Sequence, residues 1–577
     1  MLRSLSSALV LLGLTAPALA QNTISGTLRL EATEPVLAGT SDLTLRTPYA
    51  GTMVFLVGDL SLGSLYAGSV RRPVLSVTPS FTLIASGTTD SAGRFTTTVP
   101  MPSVAIDLVL QGVVLDPQSD WWATNAVNLD VGSTSTAIYS DGTIGLDPIT
   151  TVFGWGATDV DFADLDKDGC LDAVVTYDSP GYGALLMGSC DGNFEDQTAL
   201  RLPLEAVRAT STVAIGDANG DSWPDLFLGG GFAAGRPAAD RIVFNDGTGN
   251  FRLSFRDFGG ELTPPRGGLT KGGARRNLLL PPGAGRAFDA GFADIDADGD
   301  QDLVVMSESD AGFPEEEAKS VVLYRNMGNA QGGDEGSFEE EFSFFDLTSG
   351  NPHNGGGGLL LEDLDADGDV DILVGRNNAA AGGSQNSLYL NDGTGSFTDA
   401  TSTALPVVAD NTYAFASGDF DGDGDVDVFV ANSIVSAPTA VHFMENVSTT
   451  PGTPLFVDGS AGRIPASLGE ASDIRLCCDA GDVDGDGDLD LVVGIHQLFG
   501  TFGQPDGESV ILLNQGGAQG GVLGEFLVDT GFNPSLFITG DVAFGDVDAD
   551  GDLDVYVASG GDLFGVIWED DLILNDL

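Results

Sequence analysis

Along most of the chain, short apolar runs alternate with polar, glycine-rich turns, a pattern of strands rather than helices. Seven of these runs, "AVVTY", "LFLGG", "LVVMS", "ILVGR", "VFVAN", "LVVGI" and "VYVAS", each follow an aspartate-rich stretch. Further along each unit a second apolar run ends in a turn, as in "IVFNDGTGNF" at 242 and "LYLNDGTGSF" at 388. An aromatic run such as "SFTDAT" or "LFVDGS" usually comes next. Each unit thus predicts four strands: one before the acidic stretch, one after it, one before the Asn/Gly turn and one after that turn.

The acidic stretches begin at Asp164, Asp217, Asp294, Asp363, Asp419, Asp482 and Asp546, 53 to 77 residues apart. Seven four-stranded units predict an all-β fold, a seven-bladed β-propeller whose radial closure hides most sheet edges. The last unit breaks off at "LILNDL" without a fourth strand, while "IYSDGT" at 138–143 matches the fourth-strand signal "LFVDGS" at 455. The N-terminal segment is therefore expected to complete blade seven, which sets the propeller at 136–577. An open solenoid is the alternative, and it would need caps that the sequence does not show. Residues 21–135 lack the acidic repeat and carry runs such as "TMVFLVG", "SFTLIAS" and "RFTTTVP" between glycine and serine turns, which predicts a small β-sandwich-like domain.

Charge changes the picture. With 85 acidic against 23 basic residues the formal charge is −62, so self-repulsion opposes compaction unless cations intervene, and nucleic acid is excluded as a partner. Yet 42% of residues are hydrophobic and only 19% charged, the composition of a globular chain. The first twenty residues, "MLRSLSSALVLLGLTAPALA", have one cation, a short apolar run and small residues at Ala18 and Ala20. That reads as a secretory signal peptide with cleavage after Ala20, hence a secreted protein, extracellular, periplasmic or at a cell surface, with no membrane span and expected as a monomer.

The acidic stretches carry the candidate chemistry. Carboxylates at positions 1, 3, 5 and 9, with glycine usually at position 6, offer hard oxygen ligands in a compact loop, which suits Ca²⁺. The expected ligands are Asp164, Asp166, Asp168, Cys170 and Asp172 in loop 1, and Asp217, Asn219, Asp221, Trp223 and Asp225 in loop 2. In loop 3 they are Asp294, Asp296, Asp298, Asp300 and Asp302, and in loop 4 Asp363, Asp365, Asp367, Asp369 and Asp371. Loop 5 offers Asp419, Asp421, Asp423, Asp425 and Asp427. Loop 6 offers Asp482, Asp484, Asp486, Asp488 and Asp490, and loop 7 offers Asp546, Asp548, Asp550, Asp552 and Asp554. Position 7 varies, with Cys170 and Trp223 in two loops, so it is expected to contribute its backbone carbonyl. An EF-hand is excluded because position 12 is apolar, as at Val305 and Val374, and the flanks are strand-like. Loop 2, with Asn219 at position 3, Ser222 at position 6 and Pro224 at position 8, is expected to be the weakest site.

The motif DxDxDGDxD before an apolar strand, as in "VAFGDVDADGDLDVYVA" at 542, resembles the FG-GAP/VCBS repeat family, which includes the calcium-binding blades of integrin α-subunit propellers. The resemblance spans about 136–577. It implies calcium bound through positions 1, 3, 5, 7 and 9, and a function in extracellular recognition or adhesion with a glycan or protein ligand.

Catalysis finds little support: His353, His442 and His496 lie in different repeats, and neither GxSxG nor HExxH occurs. The alternative kept open is a propeller-based polysaccharide lyase or related carbohydrate-active enzyme. Cys170 and Cys190 flank the turn "SPGYG" symmetrically and are candidates for a disulfide, whereas the adjacent Cys477 and Cys478 read as thiols. Residues 252–286 carry Arg252, Arg256, Arg266, Lys271, Arg275, Arg276 and Arg286 against Asp257 and Glu261, either an anion contact or an insertion that pairs with the acidic body. "WW" at 121–122 is either a sugar platform or core.

Overall fold

The computed structural model describes strands between Arg29 and Gly145 and most of residues 157–575; the side chains of the N-terminal strands, residues 1–28 with the expected signal peptide, and residues 254–285 lie outside the described residues. Seven four-stranded antiparallel sheets follow one another. Blade 1 consists of Ala157–Ala163, Asp172–Tyr177, Ala184–Gly188 and Asn193–Asp196, paired in that order. The first strands of successive blades pack side by side, and that of blade 7, Thr539–Gly545, packs against Ala157–Ala163, so the ring is closed and the solenoid alternative falls.

Each second strand begins at the position 9 aspartate of its loop. These strands are buried on both faces because neighbouring blades cover them, which is why they read as continuous apolar runs rather than alternating ones. The core is correspondingly a ring of seven inter-blade clusters. Leu165, Val174 and Leu185 of blade 1 meet Val213, Leu226 and Val243 of blade 2. At the closing seam, Val175, Leu186 and Phe194 of blade 1 meet Val547, Tyr556 and Leu574 of blade 7. The innermost strands keep small residues and bear a β-bulge near their start, for example between Ala157 and Asp159.

Blade 7 takes its outermost strand from the other end of the chain. Tyr139–Asp141 pairs antiparallel with Asp571–Asn575, setting Tyr139 opposite Asn575 and Asp141 opposite Ile573. Two residues later Thr143–Gly145 pairs in parallel with Asn193–Asp196 as a fifth strand on blade 1. One short segment therefore bridges both sides of the seam.

The N-terminal part forms two sheets that touch. One is the three-stranded order Arg29–Ala32, Thr40–Arg46 and Arg94–Pro100. The other runs through Thr82–Thr88, Met53–Asp59, Ile106–Leu115 and Trp121–Val131 and continues through Tyr139–Asp141 into blade 7. The sequence pattern anticipates the two-layered form but not this continuity, since backbone pairing between distant segments leaves no mark on either one.

Candidate metal loops

Each acidic loop joins the first and second strands of a blade. Antiparallel order places it at the same end as the Asn/Gly turn between strands three and four, and opposite the connections to the next blade. The position 1 carboxylate folds the loop over itself: Asp164 accepts the N–H groups of Asp168 and Gly169, both at 3.0 Å. Loops 3, 4 and 6 repeat both contacts. The position 5 carboxylate then accepts the position 7 N–H, as Asp168 does from Cys170 (2.9 Å). Tight curvature puts positions 4 and 6 in the left-handed region; glycine meets this at Gly169 (φ 95°), while loop 2 forces Ser222 into it (φ 67°).

Position 9 anchors the loop to the blade. Asp172 accepts the Leu165 N–H (2.9 Å) with one oxygen and the Gly188 N–H (2.9 Å) with the other. Burial, with the charge of neighbouring loop carboxylates, pushes Asp172, Asp302, Asp371 and Asp427 up to about 7, Asp225 and Asp490 to about 8 and Asp554 to about 9; backbone hydrogen bonds pull the other way.

These contacts bring the sequence-predicted carboxylates together. Positions 1, 3 and 9 converge in loops 1, 4, 5 and 6, as Asp164, Asp166 and Asp172 do, each offering an oxygen within 4.8 Å of the others. In loop 3, Asp294, Asp296 and Asp298 do the same. Several oxygens inside the clusters are buried without a hydrogen-bond partner among the described residues: Asp166 Oδ1, Asp421 Oδ1, Asp484 Oδ1 and Asp427 Oδ2. A buried carboxylate oxygen left unpaired is costly, and all donors here are hard oxygens, so the residues present fit a calcium ion. Loop 2 differs as its sequence suggests. Asn219 turns its amide onto Asp225 (2.9 Å), and Lys167 of loop 1 lies over the Trp223 ring at 4.4 Å and donates to the Ser222 carbonyl.

One residue type escaped the sequence reading. Six third strands end in a buried asparagine, and its side-chain amide reaches across to the preceding blade. Asn245 donates to the Leu165 carbonyl (2.8 Å), Asn326 to Ala218 (3.0 Å), Asn391 to Ile295 (2.7 Å), Asn446 to Leu364 (3.2 Å), Asn514 to Phe420 (2.9 Å) and Asn575 to Val483 (2.7 Å). Each acceptor is the position 2 carbonyl of the neighbouring loop. The recurrent asparagine after each apolar run was the available signal, but it reads as mere turn chemistry.

Blade 1 has Gly188 at that place. A Cβ there would meet the Leu171 carbonyl oxygen at 2.1 Å, so no side chain fits. Cys170 and Cys190 are joined instead by a disulfide, which links loop 1 to the turn after the third strand. Cys477 and Cys478 are free thiols. His442 is buried 3.1 Å from Asp410, His496 ends a strand of blade 6, and His353 lies outside the described residues.

Residues 164–228, 363–430 and 482–557 match the family model of the FG-GAP-like repeat. Each match starts at the first aspartate of one loop and runs into the second strand of the next blade, so the three together take in six of the seven loops. No curated protein matches the chain. Among the described residues no helix is long and apolar enough to cross a membrane. The chain is a seven-bladed β-propeller that carries FG-GAP-like repeats at residues 164–228, 363–430 and 482–557.

Proposed function

We propose that the protein is an exported, calcium-stabilised propeller that acts by extracellular recognition or adhesion, with a glycan or another protein as its ligand. The observation that carries the calcium part is the convergence of positions 1, 3 and 9 in loops 1, 4, 5 and 6, with buried oxygens such as Asp421 Oδ1 and Asp427 Oδ2 unpartnered there among the described residues. Calcium would supply positive charge at each strand junction of a chain of net charge −62, and ligands that bind only the folded state stabilise it in proportion to RT ln(1 + [L]/Kd). Extracellular modules typically bind calcium with Kd of about 10⁻⁴ to 10⁻³ M, so a calcium-rich exterior suits such loops.

The recognition part rests on the repeat family and on architecture. With the metal loops committed to holding strands, the blade-to-blade connections are free to vary, and the basic stretch 252–286 falls between the second and third acidic loops in the sequence. Melting in calcium and in excess chelator tests the metal: an unchanged melt removes it from the reading. A glycan and protein array probed in both conditions tests the ligand class, and turnover of acidic polysaccharides would favour the lyase alternative.

A further inference from the structure

Three arginines reach equivalent places from three different elements. Arg201, in the short helix Thr198–Arg201 after the outermost strand of blade 1, pairs with Asp166 (3.1 Å) and donates to the Thr248 carbonyl (3.0 Å) in the Asn/Gly turn of blade 2. Arg463, after the outermost strand of blade 5, pairs with Asp421 (3.0 Å) and Glu445 (3.1 Å), and its carbonyl accepts the Phe526 N–H (2.8 Å) of blade 6. Arg325, on Val321–Asn326 of blade 3, pairs with Asp296, and a Cβ added to Gly395 in the turn of blade 4 would strike its guanidinium.

Asp166, Asp296 and Asp421 are all position 3 of their loops. Each arginine pairs with position 3 of loop 1, 3 or 5, in alternate blades of the ring, and lies against the following blade: Arg201 through its guanidinium, Arg463 through its own carbonyl and Arg325 by its approach to Gly395. The pairs are well shielded, with the three aspartate side chains 13 to 17% exposed, so solvent screens them little. Loops 4 and 6 manage position 3 otherwise: Asp365 accepts the Asp367 N–H (3.1 Å), and Asp484 accepts the side-chain amide of Gln519. Neither partner brings a positive charge.

In loop 3 the Arg325 guanidinium also comes within 3.6 Å of the position 9 carboxylate of Asp302, whereas in loop 5 the arginine leaves the metal position open. In loop 5, Asp427 is fully buried with Oδ2 unpartnered among the described residues, and it still converges with Asp419 and Asp421. The guanidinium takes Asp421 Oδ2, while Oδ1 has no hydrogen-bond partner among the described residues.

We propose that Arg201, Arg325 and Arg463 are built-in cations that hold loops 1, 3 and 5 in shape and latched to the next blade whether or not metal is bound, so that order in loops 4 and 6 depends on metal while theirs does not. The second half rests on the calcium reading; the first does not. A planar fork with fixed charge, bound to the position 3 carboxylate and, in Arg201, also to a backbone carbonyl, suits this positioning role.

Hydrogen exchange of the full chain, in excess calcium and in excess chelator, tests it. Chelator is expected to speed exchange of residues 363–371 and 482–490 by about ten-fold or more, and that of 164–172, 294–302 and 419–427 by less than about three-fold. Arg463→Met should make 419–427 as chelator-sensitive as loops 4 and 6, and Arg201→Met should do so for 164–172. Arg252→Met, which removes an exposed pair with Asp246, should leave every loop as in the wild type. Equal opening of all five loops in the wild type, or protection of 419–427 and 164–172 surviving both variants, overturns the proposal. If no loop responds to chelator the calcium reading fails by itself. The arginine latch then stands if the two variants speed exchange in both conditions, and falls if they do not.

Discussion

Asp159 on the innermost strand of blade 1 and Asp541 on that of blade 7 are hydrogen-bonded carboxyl to carboxyl across the seam that closes the ring. Asp541 also accepts the Val160 N–H (3.0 Å), and Asp159 accepts the Thr212 hydroxyl (2.7 Å) and the Val213 N–H (2.9 Å) of blade 2. Three consecutive blades are therefore joined through two acids. Both retain some accessible surface because they line the axis, yet protein surrounds them, and desolvation raises both above the usual carboxylate range.

The pair sets a pH dependence. Asp161, Asp289 and the thiols of Cys477 and Cys478 also feel its charge, and Asp161 and Asp289 add negative charge beside it. A folded-state pKa above the unfolded value means that the native pair holds a proton the unfolded chain has released. Its stability contribution is present below the unfolded value and is lost as pH rises through the folded one. Asp541→Asn supplies a permanent donor to Asp159 and can still accept from Val160. It is expected to raise stability by about 1 kcal/mol or more at pH 8, and by less at pH 5, in denaturant titrations. Equal effects at both pH values would contradict the shared proton.

The asparagine bridges predict a second outcome. Asn514 donates to Phe420 and Leu489 and accepts the Gly524 N–H (2.8 Å); the Phe420 and Gly524 bonds are buried and the Leu489 bond is partly buried. Asn514→Ala leaves these groups unpaired and should cost about 2 to 4 kcal/mol in chemical denaturation. Asn514→Asp, which keeps the acceptor and loses the donors, should cost a similar amount.

Loop positions should separate by role even without metal. Asp490 is fully buried and accepts Val483 N–H (3.0 Å) and Asn514 N–H (2.7 Å), so Asp490→Ala should destabilise by about 3 kcal/mol in chelator. Asp425 lies at a half-exposed position, pushed up by burial and by Asp423, Asp419 and Asp421, so Asp425→Ala removes repulsion. Its melt in chelator should match or slightly exceed that of the wild type.

The disulfide gives a fourth. Cys170 and Cys190 are 20 residues apart, for which loop entropy in the unfolded chain corresponds to about 3 kcal/mol. The double change Cys170→Ser with Cys190→Ser should lower stability by up to that amount. Exchange should rise in blade 1 before the other blades, because Gly188 gives it no asparagine bridge.

Much of this architecture lies within single repeats, and that part was legible. The spacing of Asp164, Asp217 and their successors, the apolar runs after each loop and the turn signals all report local backbone requirements, so strand number, blade number and the position 1, 3 and 9 carboxylates could be read directly. Even the borrowed outer strand of blade 7 was readable, because Tyr139–Asp141 repeats the local pattern of the strand it replaces. What tertiary structure alone decided are contacts between repeats. Asn575 reaching Val483, Arg201 reaching Thr248, Asp159 meeting Asp541 and the N-terminal sheet running into blade 7 join residues far apart in the chain. Local propensity constrains a residue's own backbone; its partner is chosen by closure of the ring, and only the closed ring reveals it.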